Sequence, residues 1–76
     1  MGPSEFRANA AGYLDSASTL IRTVTETLRT GQSTLDERGR PKTDTPQAVY
    51  DVLAEADERL QRVAAWFLDP ANKKFD

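Results

Sequence analysis

The 76-residue chain contains no cysteine and no histidine. The first absence removes disulfides and thiol chemistry, and with them the framework on which small secreted domains usually depend. The second removes the base of a nucleophilic triad. Together they remove the usual zinc ligands and the Glu-x-x-His motif of di-metal carboxylate bundles. The reading that follows is of a non-enzymatic chain with no catalytic residues, no cofactor and no metal. Charge of one sign is also lacking: 10 basic against 12 acidic residues leave a net charge of −2. That balance argues against long-range attraction to nucleic acid or to an anionic membrane. The longest unbroken apolar run, Val63 to Leu68, is far shorter than the roughly 20 residues of a membrane span. No basic segment followed by an apolar core marks a signal peptide. A cytoplasmic protein is the default expectation.

What the chain does have is helical periodicity. Val49, Leu53, Ala56, Leu60, Val63 and Phe67 are spaced alternately four and three apart, as are Ala10, Leu14, Ala17, Ile21, Val24 and Leu28. Each set draws one apolar stripe along a helix. Folded back on itself, the chain sets Leu28 opposite Val49, Val24 opposite Leu53 and Leu14 opposite Val63. Three further pairs, Ile21–Ala56, Ala17–Leu60 and Ala10–Phe67, set an alanine against a larger residue, the alternation by which facing layers interdigitate. The fold class expected is all-α, an antiparallel two-helix hairpin forming a single domain over residues 1–76.

Boundaries follow from capping chemistry. Ser4 is suited to cap a first helix running from about residue 5 to 30, with Gly31 as its stop. The segment GQSTLDERGRPKTDT, residues 31–45, has the composition of a mobile surface loop, with Arg38, Arg40 and Lys42 as its cations. Thr45 as N-cap and Pro46 at the first helical position open a second helix, about 46–68. A tail, 69–76, begins at Asp69-Pro70, where Asp69 is placed to cap a short last turn that would return Phe75 to the core. Asp51, Glu55, Asp57 and Glu58 read as a solvated face outside the apolar stripe, with Glu55–Arg59 and Glu58–Arg62 as i,i+4 ion pairs. They lack the alternating acids and glycine of a calcium loop.

A second set of apolar residues widens each stripe. Phe6, Tyr13 and Leu20 recur every seven residues beside the first stripe, and Val52 and Trp66 beside the second. A two-helix seam needs two apolar positions per heptad, and a third belongs to helices packed in a bundle. Phe6, Tyr13, Leu20, Val52 and Trp66 are therefore the candidate interface. The partner expected is a second copy, giving a four-helix bundle, or another helical protein. The role expected is protein–protein interaction or oligomerisation. An inhibitor or regulator of an enzyme is the alternative, as is a nucleic-acid accessory protein. The last is disfavoured because the cations lie at opposite ends, Arg38, Arg40 and Lys42 at the loop and Lys73 and Lys74 at the tail, with no interleaved aromatics. The organisation resembles that of the small secreted helical hairpins with a Trp-x-Gly turn. This loop has no Trp-x-Gly, and neither Tyr13 nor Tyr50 is followed four residues later by an acid, so the likeness is to a generic hairpin.

Overall fold

Two helices account for about three-quarters of the backbone in the computed structural model, which describes residues 2–71. Helix α1 spans Pro3–Ser33 and helix α2 spans Gln47–Leu68, and they pack antiparallel. The molecule is a rod of 59 × 22 × 12 Å, a single layer of two helices. No described helix is long and apolar enough to cross a membrane.

The start of α1 differs from the capping expectation. Gly2 is the N-cap and Pro3 takes the first turn, where its missing N–H costs nothing, and the Phe6 amide closes that turn on the Gly2 carbonyl at 3.0 Å. Ser4 is thus inside the helix. At the other end, Gly31 does not stop α1, which continues to Ser33. A Cβ on Gly31 would lie 2.9 Å from the Thr43 methyl. A side chain at 31 would press on this methyl of the returning chain, whose Thr43 amide donates to the Gly31 carbonyl at 3.3 Å.

The connection is a folded turn, not the mobile loop its composition suggests. Leu35 and Pro41 form an antiparallel bridge, flanked by Lys42 N–H to the Thr34 carbonyl at 2.9 Å and Asp36 N–H to the Arg40 carbonyl at 2.6 Å. The Asp36 carboxylate accepts from the amides of Arg38 and Arg40 at 2.8 and 2.9 Å. Gly39, at φ 77°, makes the apex that an L side chain resists. Thr45 does not cap α2. Its side chain is buried and shares a hydrogen bond with Thr43, while Pro46 takes the N-cap position.

The open end is closed by polar chemistry. Arg7 donates to the Phe67 carbonyl at 3.0 Å and the Asp69 carbonyl at 3.1 Å, satisfying groups that the end of α2 leaves without helical partners. Asp69 accepts from the Ala71 amide at 2.9 Å and so caps the short turn at Pro70–Ala71. Lys73, Lys74 and Phe75 lie outside the described residues.

Candidate functional site: the exposed apolar face

The seam between the helices is narrower and more polar than the apolar stripes imply. Its buried residues, among those described, are Ala11, Ser18 and Tyr50, with Thr45 beneath the loop. The Ser18 hydroxyl donates to one Asp57 carboxylate oxygen, and the Arg22 guanidinium meets the other at 3.2 Å. Gln61 also donates to Asp57, at 3.2 Å. The Ser18 hydrogen bond, helped by Arg22 and Gln61, holds Asp57 below the ordinary carboxylate value of 3.8. Asp57 therefore belongs to the seam, not to the solvated face assigned to it from the sequence. About two helical turns towards the loop end, Tyr50 is sandwiched between helices, its hydroxyl donating to Gln32 at 2.6 Å and its ring under the Arg29 guanidinium at 4.6 Å.

These contacts rotate both helices about their axes relative to the simple stripe pairing. With Ala11, Ser18, Tyr50 and Asp57 turned into the seam, Val24, Val49 and Val63 leave its centre and are 46%, 39% and 45% exposed. The physical reason is twofold. Small residues at 11 and 18 allow close approach, and the Ser18–Asp57 hydrogen bond is satisfied only in that rotation. The longitudinal register stays within about a turn of the stripe pairing, since Ser18 meets Asp57 and Phe6 meets Phe67 with ring centroids 6.4 Å apart.

Rotation concentrates large apolar side chains on one side. At about 100° per residue, Phe6, Tyr13, Leu20 and Val24 lie on one flank of the Ala11–Ser18 line. Val49, Val52 and Val63 lie on the corresponding flank of the Tyr50–Asp57 line. In an antiparallel pair these two flanks form the same face of the rod. Phe6, Tyr13, Leu20 and Val52 are 58%, 77%, 66% and 64% exposed. The structure thus brings four of the five sequence-derived interface residues onto one face. Trp66 sits at its rim, at the back of α2, with its ring edge-on to Phe67 at 5.1 Å. Val24, Val49 and Val63 are the members that stripe reasoning assigned elsewhere. The signal that could have found them is the pairing of Ser18 with Asp57, two hydrogen-bonding residues near opposite registers.

The other side of the rod carries internally paired charges beside the apolar Ile21 and Leu53. Arg22, Glu26, Arg29, Tyr50, Ala54 and Asp57 line a shallow groove there. On the outer surface of α2, Arg59 meets Glu55 at 2.6 Å and Arg62 meets Glu58 at 2.5 Å, the two i,i+4 pairs that the spacing predicts. Asp51 accepts from Gln47 at 3.1 Å. The described residues contain no group of three or more His, Cys, Asp or Glu arranged to hold a metal ion.

The single-layer rod exposes more surface than a compact chain of its size. Its accessible surface is 5845 Å², against about 4,600 Å² for a compact protein of 8.4 kDa. Its radius of gyration is 17.6 Å, against about 11 Å for a compact chain of this length. No family model, curated protein or solved structure matches the chain.

Proposed function

We propose that the chain is a non-enzymatic oligomerisation module, and that the apolar face of one hairpin is covered by the same face of a second copy to form a four-helix bundle. The observation that carries this reading is the placement of Phe6, Tyr13, Leu20, Val24, Val52 and Val63 on one side of the rod, each 45% exposed or more. Contiguous apolar surface of this extent is characteristic of interaction sites.

Dimensions support a second copy as the occupant. The hairpin is 22 Å wide but only 12 Å thick. A second layer at the usual interaxial distance of about 10 Å would bring the thickness to roughly 22 Å, the square section of a four-helix bundle. A face of 59 × 22 Å offers on the order of 1,000 Å² per partner, above the roughly 800 Å² of a standard interface. Two-fold pairing of identical faces is also the commonest route to closed assembly. Tyr13, of a residue type enriched at binding hot spots, would anchor it, with Trp66 at the rim.

Sedimentation equilibrium over a concentration series, with helicity followed on the same samples, tests the proposal. A helical dimer is the expected result. A folded monomer at all concentrations contradicts it, and a poorly helical monomer points instead to a different helical protein as the partner.

A further inference from the structure

The exposed face repeats its pattern when turned end for end. On α1 its residues are arranged about a point between Ser18 and Thr19, with Ala17 and Leu20 on either side of that point and Tyr13 and Val24 farther out at equal distances. On α2 they are arranged about Ala56, with Val52 and Leu60 on either side and then Val49 and Val63. The two helices are separate stretches of chain, and their centres need not coincide in space. They do coincide. Ser18 is hydrogen-bonded to Asp57 across the seam, so the centre on α1 lies level with Ala56 to within about one residue, a rise of about 1.5 Å.

We propose that two copies pair with their rods antiparallel, about a two-fold axis that crosses the apolar face at the level of Ser18 and Ala56. Such an axis lays α1 on α1 and α2 on α2 of the second copy with the chain directions reversed, so the folded turns lie at opposite ends of the bundle. The inference rests on the self-association proposed above and goes beyond it by assigning which helix meets which. Along α1, Leu20 of each copy falls over Ala17 of the other, and Tyr13 over Val24. Along α2, Ala56 meets its own counterpart at the axis, where a small side chain allows close approach, while Val52 falls over Leu60 and Val49 over Val63. Large residues are thus set against smaller ones on both sides, as interdigitating layers require. The shallow groove lined by Val52, Glu55, Ala56, Arg59, Leu60 and Val63 lies across the axis.

Charge at the rim of the face separates this arrangement from the other two-fold pairing. Glu55 and Arg59 stand on either side of the axis, and within one copy they are bridged at 2.6 Å. Reversal places Glu55 of one copy opposite Arg59 of the other, so opposite charges meet across the rim. The other pairing keeps both turns at the same end and lays α1 of each copy on α2 of the other. There the Glu55–Arg59 edge runs along the edge of α1 that carries Asn9, Ser16 and Thr23, which offers it no charge. It also sets Leu20 level with Glu55, since Leu20 is two residues beyond Ser18 and Glu55 two residues before Asp57. The antiparallel pairing keeps Leu20 among apolar neighbours.

The chain has no cysteine, so an introduced thiol is unique in each copy. With a spin label on Glu37→Cys, in the exposed turn, double electron–electron resonance should read a distance between copies close to the 59 Å length of the rod. Ala56→Cys, at the axis, should be joined into a covalent dimer by a short bis-maleimide, and Glu58→Cys, off the apolar face, should not. Label distances within about 25 Å, set by an interaxial spacing of about 10 Å and the label arms, with no cross-link at Ala56→Cys, would place the turns at the same end. That result would overturn the orientation and leave self-association standing. A monomer in sedimentation with no distance between copies would contradict self-association itself, and this proposal with it.

Discussion

The seam of the hairpin and its outer face share the large apolar residues between them: Leu14, Ile21, Leu28, Leu53, Leu60 and Phe67 are half-buried, beside a seam whose most buried positions are small or polar. The buried positions are Ala11, Ser18 and Tyr50, with Asp57 largely covered, whereas Tyr13, Leu20, Val24, Val52 and Val63 are exposed. Burial of apolar surface is the main favourable term in folding, and here much of the available apolar surface is not used within the chain. The two regions therefore do different work. The seam carries the hydrogen bonds that join the two helices, and the face carries the exposed apolar side chains on which the proposed association depends.

The largest expected effect lies on the face. Leu20→Glu should weaken self-association by about 4 kcal/mol per dimer, roughly 2 from each copy and near a thousandfold in dissociation constant, read by analytical ultracentrifugation. An effect no larger than that of Arg40→Ala on the same assembly would remove the distinction between face and surface.

Next comes the seam. Tyr50→Ala deletes the one large side chain that is buried among the described residues, together with its hydrogen bond to Gln32 and its contact with Arg29. Chemical denaturation should show a loss of about 3 kcal/mol. The same substitution should affect the bundle only through the stability of each hairpin.

A smaller, pH-dependent effect belongs to Ser18. Because Asp57 is held below its ordinary value by Ser18, its stabilising contribution is fully present above about pH 4 and is lost as the pH falls through the lower folded-state value. Ser18→Ala should destabilise the hairpin at pH 7 and make this acid-dependent loss shallower, as measured by thermal melts from pH 7 to 2. Parallel melting curves for the two proteins at every pH would show that Ser18 does not act through the Asp57 carboxylate.

The smallest effect should come from the outer surface of α2. Arg59→Ala breaks an ion pair whose side chains are 73% and 57% exposed, and should cost only about 0.3 kcal/mol in urea unfolding. A loss above roughly 1 kcal/mol would show that this surface also carries structure.

Much of this division could be read from residue spacing, and the part that could not has specific causes. The two helices, their antiparallel order and the exposure of Phe6, Tyr13, Leu20 and Val52 follow from heptad spacing, which is insensitive to detail. Rotation about the helix axes was not legible, because a stripe counts Val24 and Ala17 alike, whereas packing favours the small residue at the point of closest approach. An acid in an exposed run usually faces solvent, and the seam position of Asp57 is tied to one serine 39 positions away. Ser4 and Thr45 have the chemistry of N-caps, but adjacent prolines and the pull of Thr43 on Thr45 decide otherwise. The composition of residues 31–45 does not reveal the hydrogen-bonded turn built on the Asp36 carboxylate and the Leu35–Pro41 bridge, because these contacts depend on backbone geometry and not on residue type alone.

The most direct test of the central claim is the thermal unfolding of the chain, followed by circular dichroism at 222 nm over a hundredfold range of concentration. If the apolar face is buried against a second copy, unfolding is coupled to dissociation and the midpoint rises with concentration. A cooperative transition whose midpoint stays constant over that range would mean that the hairpin is stable with its apolar face in water, and would contradict the account.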